Sequence, residues 1–172
     1  AGLRRITGGR ILHNGEDISG LSTATLREQG LAYVPADRLH RGASLTSSVT
    51  ENMIVSHHHG FLRAGFLRGR SIRSFSEGLT RRFSIAGAPE SAIGTLSGGN
   101  IQKVILAREL ASSSNLLVVS EPTWGLDVAS SEFVYGKILE ARAGGAGVLL
   151  ISSNLDEILG IADTVAVMYR GR

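Results

Sequence analysis

The chain has 172 residues, long enough for one domain with a core of its own and short for two. With 42% hydrophobic and 19% charged residues it does not have the composition of a disordered chain, and without cysteine it has no disulfides, thiol chemistry or cysteine-ligated metal. The net charge of +3 is a mild basic excess, and no apolar run approaches the ~20 residues of a membrane-spanning helix.

Residues 9–15 read as a short strand closed by the Asn14-Gly15 turn. Residues 21–29 suit a helix capped by Ser22 or Thr23 and stopped at Gly30, followed by a strand over Leu31–Val34 that ends at Pro35. Residues 48–56 have helical spacing of Val49, Met53 and Ile54. The triplet His57-His58-His59 comes next; adjacent side chains in a loop rarely converge on one metal, so an exposed loop is expected. Arg63, Arg68, Arg70, Arg73, Arg81 and Arg82 are interleaved with Phe66, Leu67, Ile72, Phe75, Leu79 and Phe83. This pattern reads as the solvated face of a helical segment over about 69–86. No aromatic platform at nucleic-acid spacing accompanies it, so nucleic acid is not expected as a partner. Residues 87–94, with Pro89 and no periodicity, form a linker.

From Ser97 a helix is predicted to residue 112, its apolar face set by Ile101, Val104, Ile105, Ala107 and Leu110. Residues 116–119 and 148–151 are all-apolar runs, as in strands buried on both faces. Helices are predicted over 129–142 and 155–161, and a last strand over 164–168. Alternating strands and helices give an α/β fold with a mainly parallel sheet and right-handed crossovers.

Ligands of such sheets bind beyond the carboxyl ends of the strands, which points to the loop that begins Ser120-Glu121-Pro122. Glu121 is either a general base that orients a water or an acidic cap paired with a nearby cation. The second candidate is Leu96-Ser97-Gly98-Gly99-Asn100. Ser97 is a good N-cap, but two glycines in a first helical turn are poor helix formers. Glycine lets a ligand approach the backbone, and a helix N-terminus offers free N–H groups to an anion.

LSGGNIQKVILAREL resembles the signature motif and helix of ATP-binding cassette (ABC) transporter ATPase domains, and LLVVSEPTWGLD resembles their Walker B strand and D-loop. Tyr33 to Arg38 aligns with the Q-loop region, Ser48 to Met53 with the helix after it, and residues 148–153 with the switch strand. The blocks appear in the family's order over nearly the whole chain. YVPADR, the Asn after the second glycine and ISSN are similar to the second ATPase half of simple-sugar and nucleoside importers. The phosphate loop G-x-x-x-x-G-K-[ST] occurs nowhere in the chain, which is expected to be a partial P-loop NTPase fold lacking its Walker A segment upstream. A small helical subdomain is expected over about 37–95 within the single unit 1–172.

The resemblance implies an importer ATPase on the cytoplasmic face of the plasma membrane, using ATP and Mg²⁺ mainly through the partner half. Its implied partners are a second ATPase half, permease subunits and, indirectly, a solute-binding protein. In this family ATP lies between the P-loop of one half and the signature turn of the other. Ser97, Gly98, Gly99 and Asn100 are therefore expected to face the partner's nucleotide, with Asp127 near the seam. Trp124 is expected to pack at that surface, and Glu121 is the expected catalytic base in cis. Three departures weaken this half's own site: Ser120 replaces the Walker B aspartate, Ala36 the Q-loop glutamine, and Ser153 the switch histidine, where it is still the expected nucleotide contact. No metal ligand is assigned. A non-hydrolysing regulatory half is the alternative; a chromosome- or repair-type ABC ATPase is less compatible, since no long coiled coil separates Ala36 from Ser97. The arginine-rich segment, with Val49 and Met53, is expected to shape the groove that receives a permease helix.

Overall fold

The computed structural model describes residues 2–112 and 114–171. β1 (Leu12–His13) and β2 (Glu16–Asp17) form a hairpin. Its turn residues Asn14 and Gly15 sit at φ 51° and 83°, the left-handed pair that matches strand twist. α1 (Thr23–Glu28) starts where the Ser22 hydroxyl accepts the Thr25 N–H at 3.1 Å, and the chain leaves it through Gly30 at φ 88°.

Three parallel strands make the main sheet, in the order β3 (Leu31–Val34), β6 (Leu116–Ser120), β7 (Gly147–Ile151). Tyr33 lies beside Val118 and Val118 beside Leu149, so these residues share one face. Ala32, Val34, Leu117, Val119, Val148 and Leu150 share the other, which packs into the main core. There α4 (Gly98–Glu109) and α5 (Val128–Ala143) cover the sheet; Val104, Ile105, Leu106 and Ala107 of α4 are wholly buried. α5 is the crossover that parallel pairing of β6 and β7 requires.

Between β3 and α4 the chain forms a π-helical turn (Arg38–Gly42), α2 (Val49–Ile54), a 3₁₀ turn (His58–Phe61), a two-stranded hairpin β4 (Leu62–Arg63) and β5 (Phe66–Leu67), and α3 (Gly69–Arg82). α2 has a complete capping box: Ser48 accepts the Glu51 N–H, and the Glu51 carboxylate accepts the Ser48 N–H at 2.7 Å. Met53 and Phe83 are fully buried against α4 and its neighbours.

Several expectations are corrected. Residues 164–168 form no strand: Val167 and Met168 are 84% and 80% exposed, and β7, the edge of the sheet, pairs only with β6. An apolar run becomes a strand only when a partner ladder is within reach, and among the described residues none lies beside this segment. β7 is not buried on both faces either; Leu149 and Ile151 are half exposed, because the second face is covered only toward β3, by Ile18 and Leu26. Phe66 and Leu67 belong to the exposed β4–β5 hairpin, not to a helix. His57 is partly buried, with Nε2 2.7 Å from the Arg108 carbonyl, so it is not part of an exposed loop.

Candidate functional site

Ser97 caps α4 and lies exposed at its start. The Asn100 side chain faces inward: its Nδ2 donates to the Ser97 hydroxyl at 3.0 Å and its Oδ1 accepts the Ala86 N–H at 2.8 Å. Asn100 thus braces the turn. The amides of Gly98 and Gly99 fall in the first helical turn, where no intrahelical acceptor exists. Both glycines also lie close to side chains of the protein itself, which would have to shift to admit a larger residue. A Cβ on Gly99 would meet the Ser130 hydroxyl at 2.5 Å, and one on Gly98 would lie 3.0 Å from Nη2 of Arg38. The glycine pair, read from sequence as room for a ligand, is equally room for α5 and Arg38.

The loop after β6 is strapped on several sides. Glu121 sits at φ 44°, a strained backbone for a non-glycine residue and a frequent mark of functional sites. Its N–H donates to the Ile151 carbonyl at 2.8 Å. The carboxylate accepts the Ser153 N–H at 2.8 Å on one oxygen and the Ser153 hydroxyl at 3.2 Å on the other. Buried Gln102 of α4 donates to the Pro122 carbonyl at 2.9 Å. Thr123 donates to Glu157 at 3.1 Å, and Ser152 donates to the second oxygen of this buried carboxylate. Trp124 is 70% exposed. Asp127 caps α5, accepting the Ser130 N–H at 2.8 Å and the Ser130 hydroxyl at 2.7 Å. Those bonds, the backbone one foremost, hold its carboxyl below the usual range.

The predicted residues therefore fall into two groups at the carboxyl end of the sheet. Glu121 and Ser153 form a bonded pair across β6 and β7. Ser97, Gly98, Gly99 and Asp127 lie where the N-terminus of α4 meets that of α5. Gln102 links the groups through Pro122. Gln102, Glu157 and Arg38 were among the residues of this assembly not singled out from sequence. A buried polar side chain on an apolar helix face is a visible signal for Gln102; nothing local marks the other two.

A cavity of about 420 Å³ lies elsewhere, lined by Arg27, Arg41, Ser44, Glu51, Asn52 and Arg108 among others, and holds none of the site residues above. Behind it Glu109, 5% exposed, accepts bonds from Arg27 at 3.0 and 3.3 Å, Arg108 Nε at 2.9 Å and the Tyr33 N–H at 3.1 Å. Val49 and Met53, expected with the arginine-rich segment to shape a groove, are fully buried in the core; from α2 and its end the cavity is lined by Glu51, Asn52 and Val55. The arginine-rich segment contributes nothing to it.

The α4 turn has the donor chemistry for a phosphate: free backbone amides, an exposed hydroxyl and the positive end of a twelve-residue helix. Divalent-metal chemistry fits poorly. Among the described residues no group of three or more His, Cys, Asp or Glu side chains comes together, and Ser120 offers beside Glu121 a neutral hydroxyl only.

The sheet order, the capped α4 turn and the strapped loop after β6 are accompanied by a match of residues 1–124 to the sequence profile described as ABC transporter, and the chain belongs to that family. It is similar to the nucleoside import ATP-binding protein NupA of Lactococcus lactis subsp. cremoris (37% identical over 174 residues) and the ribose import ATP-binding protein RbsA of Oceanobacillus iheyensis (32% over 171 residues). Each alignment takes in 99% of this chain and 34% of the relative, so the chain spans about a third of the length of the curated relatives it matches. Among solved structures, a nucleotide-free ATP-binding cassette from an ABC transporter superposes with a TM-score of 0.78 at 21% identity, over 99% of this chain and 69% of its own. A dimeric post-hydrolysis cassette bound to ADP and Pi superposes with a TM-score of 0.72 at 19% identity, over 90% and 67%. These likenesses establish the α/β cassette fold. No described helix is long and apolar enough to cross a membrane.

Proposed function

We propose that this chain is part of the ATP-binding subunit of an importer for a sugar or nucleoside, working with permease subunits at the cytoplasmic face of the membrane. Its contribution is the Ser97-Gly98-Gly99 turn, which holds the terminal phosphate of a nucleotide bound by a P-loop-bearing partner half. The observation that carries this reading is the bracing of that turn: Asn100 fixes Ser97 from within, and Gly99 lies against Ser130 beside Asp127. The phosphate would meet preorganised amides with little reorganisation. Mg²⁺ would accompany the nucleotide through the partner half, since the residues of this half fit a divalent cation poorly. Glu121, beyond the end of β6, is the base in cis, for a water at this half's own site rather than the partner's, and Ser153 holds its carboxylate in place through two bonds. The cavity beside Arg27 and Arg108 receives the permease segment.

The second reading is a non-hydrolysing half. It is favoured by Ser120, Ala36 and Ser153 at the three departed positions, and by Ser153 bonds to both Glu121 oxygens. This half's own site is slow under the first reading and silent under the second, and the site it completes is the active one.

ATP turnover by this chain alone, and after mixing with a P-loop-bearing partner half, tests the proposal. Silence alone, and stimulation on mixing that Ser97→Arg abolishes and Glu121→Gln spares, is the expected result. Stimulation that survives Ser97→Arg would sink it.

A further inference from the structure

Arg38 leaves the chain just beyond β3 and reaches two other segments. Its Nη1 donates to the Trp124 carbonyl at 2.5 Å and its Nη2 to the Gly125 carbonyl at 3.4 Å. The same Nη2 is the atom nearest a Cβ placed on Gly98, at 3.0 Å, and the nearest to one on Gly125, at 3.5 Å. Its Nε is buried with no hydrogen-bond partner. Among the described residues Arg38 makes no ion pair with a carboxylate; the adjacent Asp37 instead caps the π-helical turn and bonds His40. The guanidinium is thus held only by peptide carbonyls, against the positive end of α4. Both features are unfavourable: a buried donor goes unsatisfied, and a cation sits at the wrong end of a helix dipole. A solvated position, open to most surface arginines, would avoid both.

We infer that Arg38 is a positioning residue that clamps the loop 122–126 to the Ser97–Gly99 turn. The planar fork of arginine supplies two donors at fixed spacing, matching two successive carbonyls as a lysine ammonium does not. Because the Trp124 and Gly125 carbonyls turn inward to Arg38, the Trp124 ring is turned outward and stays 70% exposed. Gly125, at φ 66°, takes the left-handed backbone this reversal needs. The clamp ties the loop after β3 to the loop after β6 by its hydrogen bonds, and Nη2 of Arg38 packs against the start of α4 at Gly98. Its bearing on ATP turnover rests on the proposed role of the Ser97–Gly99 turn; the clamp itself does not.

Trp124 is the only tryptophan, so its fluorescence reports on this loop without nucleotide or partner. Time-resolved anisotropy would be recorded for the wild type, Arg38→Ala, Arg38→Lys and a control, Arg142→Ala, which removes an exposed ion pair to Asp163. Circular dichroism and denaturant unfolding would confirm that each variant is folded. The amplitude of the fast local motion should rise about two-fold in Arg38→Ala, less in Arg38→Lys, and not in the control. Unchanged Trp124 motion in folded Arg38→Ala overturns the inference; if Arg38→Ala does not fold, unchanged motion in Arg38→Lys overturns it instead. Turnover stimulated in the partner half should then fall about 10- to 100-fold in kcat with KM for ATP nearly constant, since misplacement costs rate more than binding. Loosened Trp124 with no stimulated turnover even in the wild type would leave the clamp standing and remove the proposed ATP site.

Discussion

Leu117 and Val119 of β6 are fully buried, whereas Leu149 and Ile151 of β7 are 53% and 50% exposed, although the two strands are bonded in register. The difference lies in what covers each face. The core face of the sheet meets α4 and α5 along its whole width, while the second face meets only Ile18 and α1, at the β3 end. Around uncovered β7 the exposure continues: Leu155 and Leu159 of α6 (Leu155–Ile161) and Val165, Val167 and Met168 beyond it are all open to solvent. One flank has the density of a protein interior; the other has the apolarity of one without the cover. Where exposed apolar residues of this kind are contiguous, they drive association.

The contrast breaks hardest at Glu109. This carboxylate ties α1, β3 and α4 through Arg27, Tyr33 and Arg108, and Glu109→Ala leaves buried Arg108 unpaired, a loss of about 3–5 kcal/mol in denaturant unfolding. A loss under about 1 kcal/mol would mean that the network is solvated and the flank less tightly built. Next come paired truncations on adjacent strands. Leu117→Ala should cost about 2–5 kcal/mol, and Leu149→Ala less than about 1 kcal/mol. Leu149→Ser with Ile151→Thr should reduce binding of an apolar dye and shift the chain toward monomer in size-exclusion chromatography. No change in either measurement would show that the β7 face is covered in solution.

The smallest effect expected is with pH. Asp17, Asp37, Glu51 and Asp127 all have carboxyls held below their usual range by hydrogen bonds from neighbouring backbone N–H groups and side chains. A lowered folded-state value means these groups stabilise the fold when ionised, fully so above the ordinary carboxylate range of about 4, and that the contribution fades as pH falls through and below it. Asp37, Glu51 and Asp127 belong to helix caps and Asp17 to β2 of the first hairpin, all outside β7. Acid should therefore fray α2 and α5 before it alters the β7 flank, which hydrogen exchange between pH 6 and pH 3 would resolve; uniform loss of protection would contradict this.

Much of this was legible in the residues. Ser22, Ser48 and Ser97 mark helix starts because a short side-chain oxygen can take an orphan N–H, a wholly local effect. The Asn14-Gly15 hairpin and the parallel order of apolar runs separated by helices follow from equally local rules. The LSGGN and SEPTWGLD blocks carried the family, because their residue types and spacing can be read without coordinates. The β4–β5 hairpin escaped because Arg63, Phe66 and Leu67 continue the arginine and apolar pattern of the helical segment that follows, and the terminal strand because β propensity is realised only beside a partner.

The sequence by itself determined which segments cap, turn and extend, since those preferences are settled within a few neighbouring residues. It also determined the family, and with it the residues to watch. Only the tertiary structure decided that Glu121 meets Ser153, that Gly99 makes room for Ser130, that Arg38 reaches Trp124 and that β7 lies open. Each of these depends on chain segments far apart in sequence coming together, and the geometry of that meeting is set by packing of the whole core.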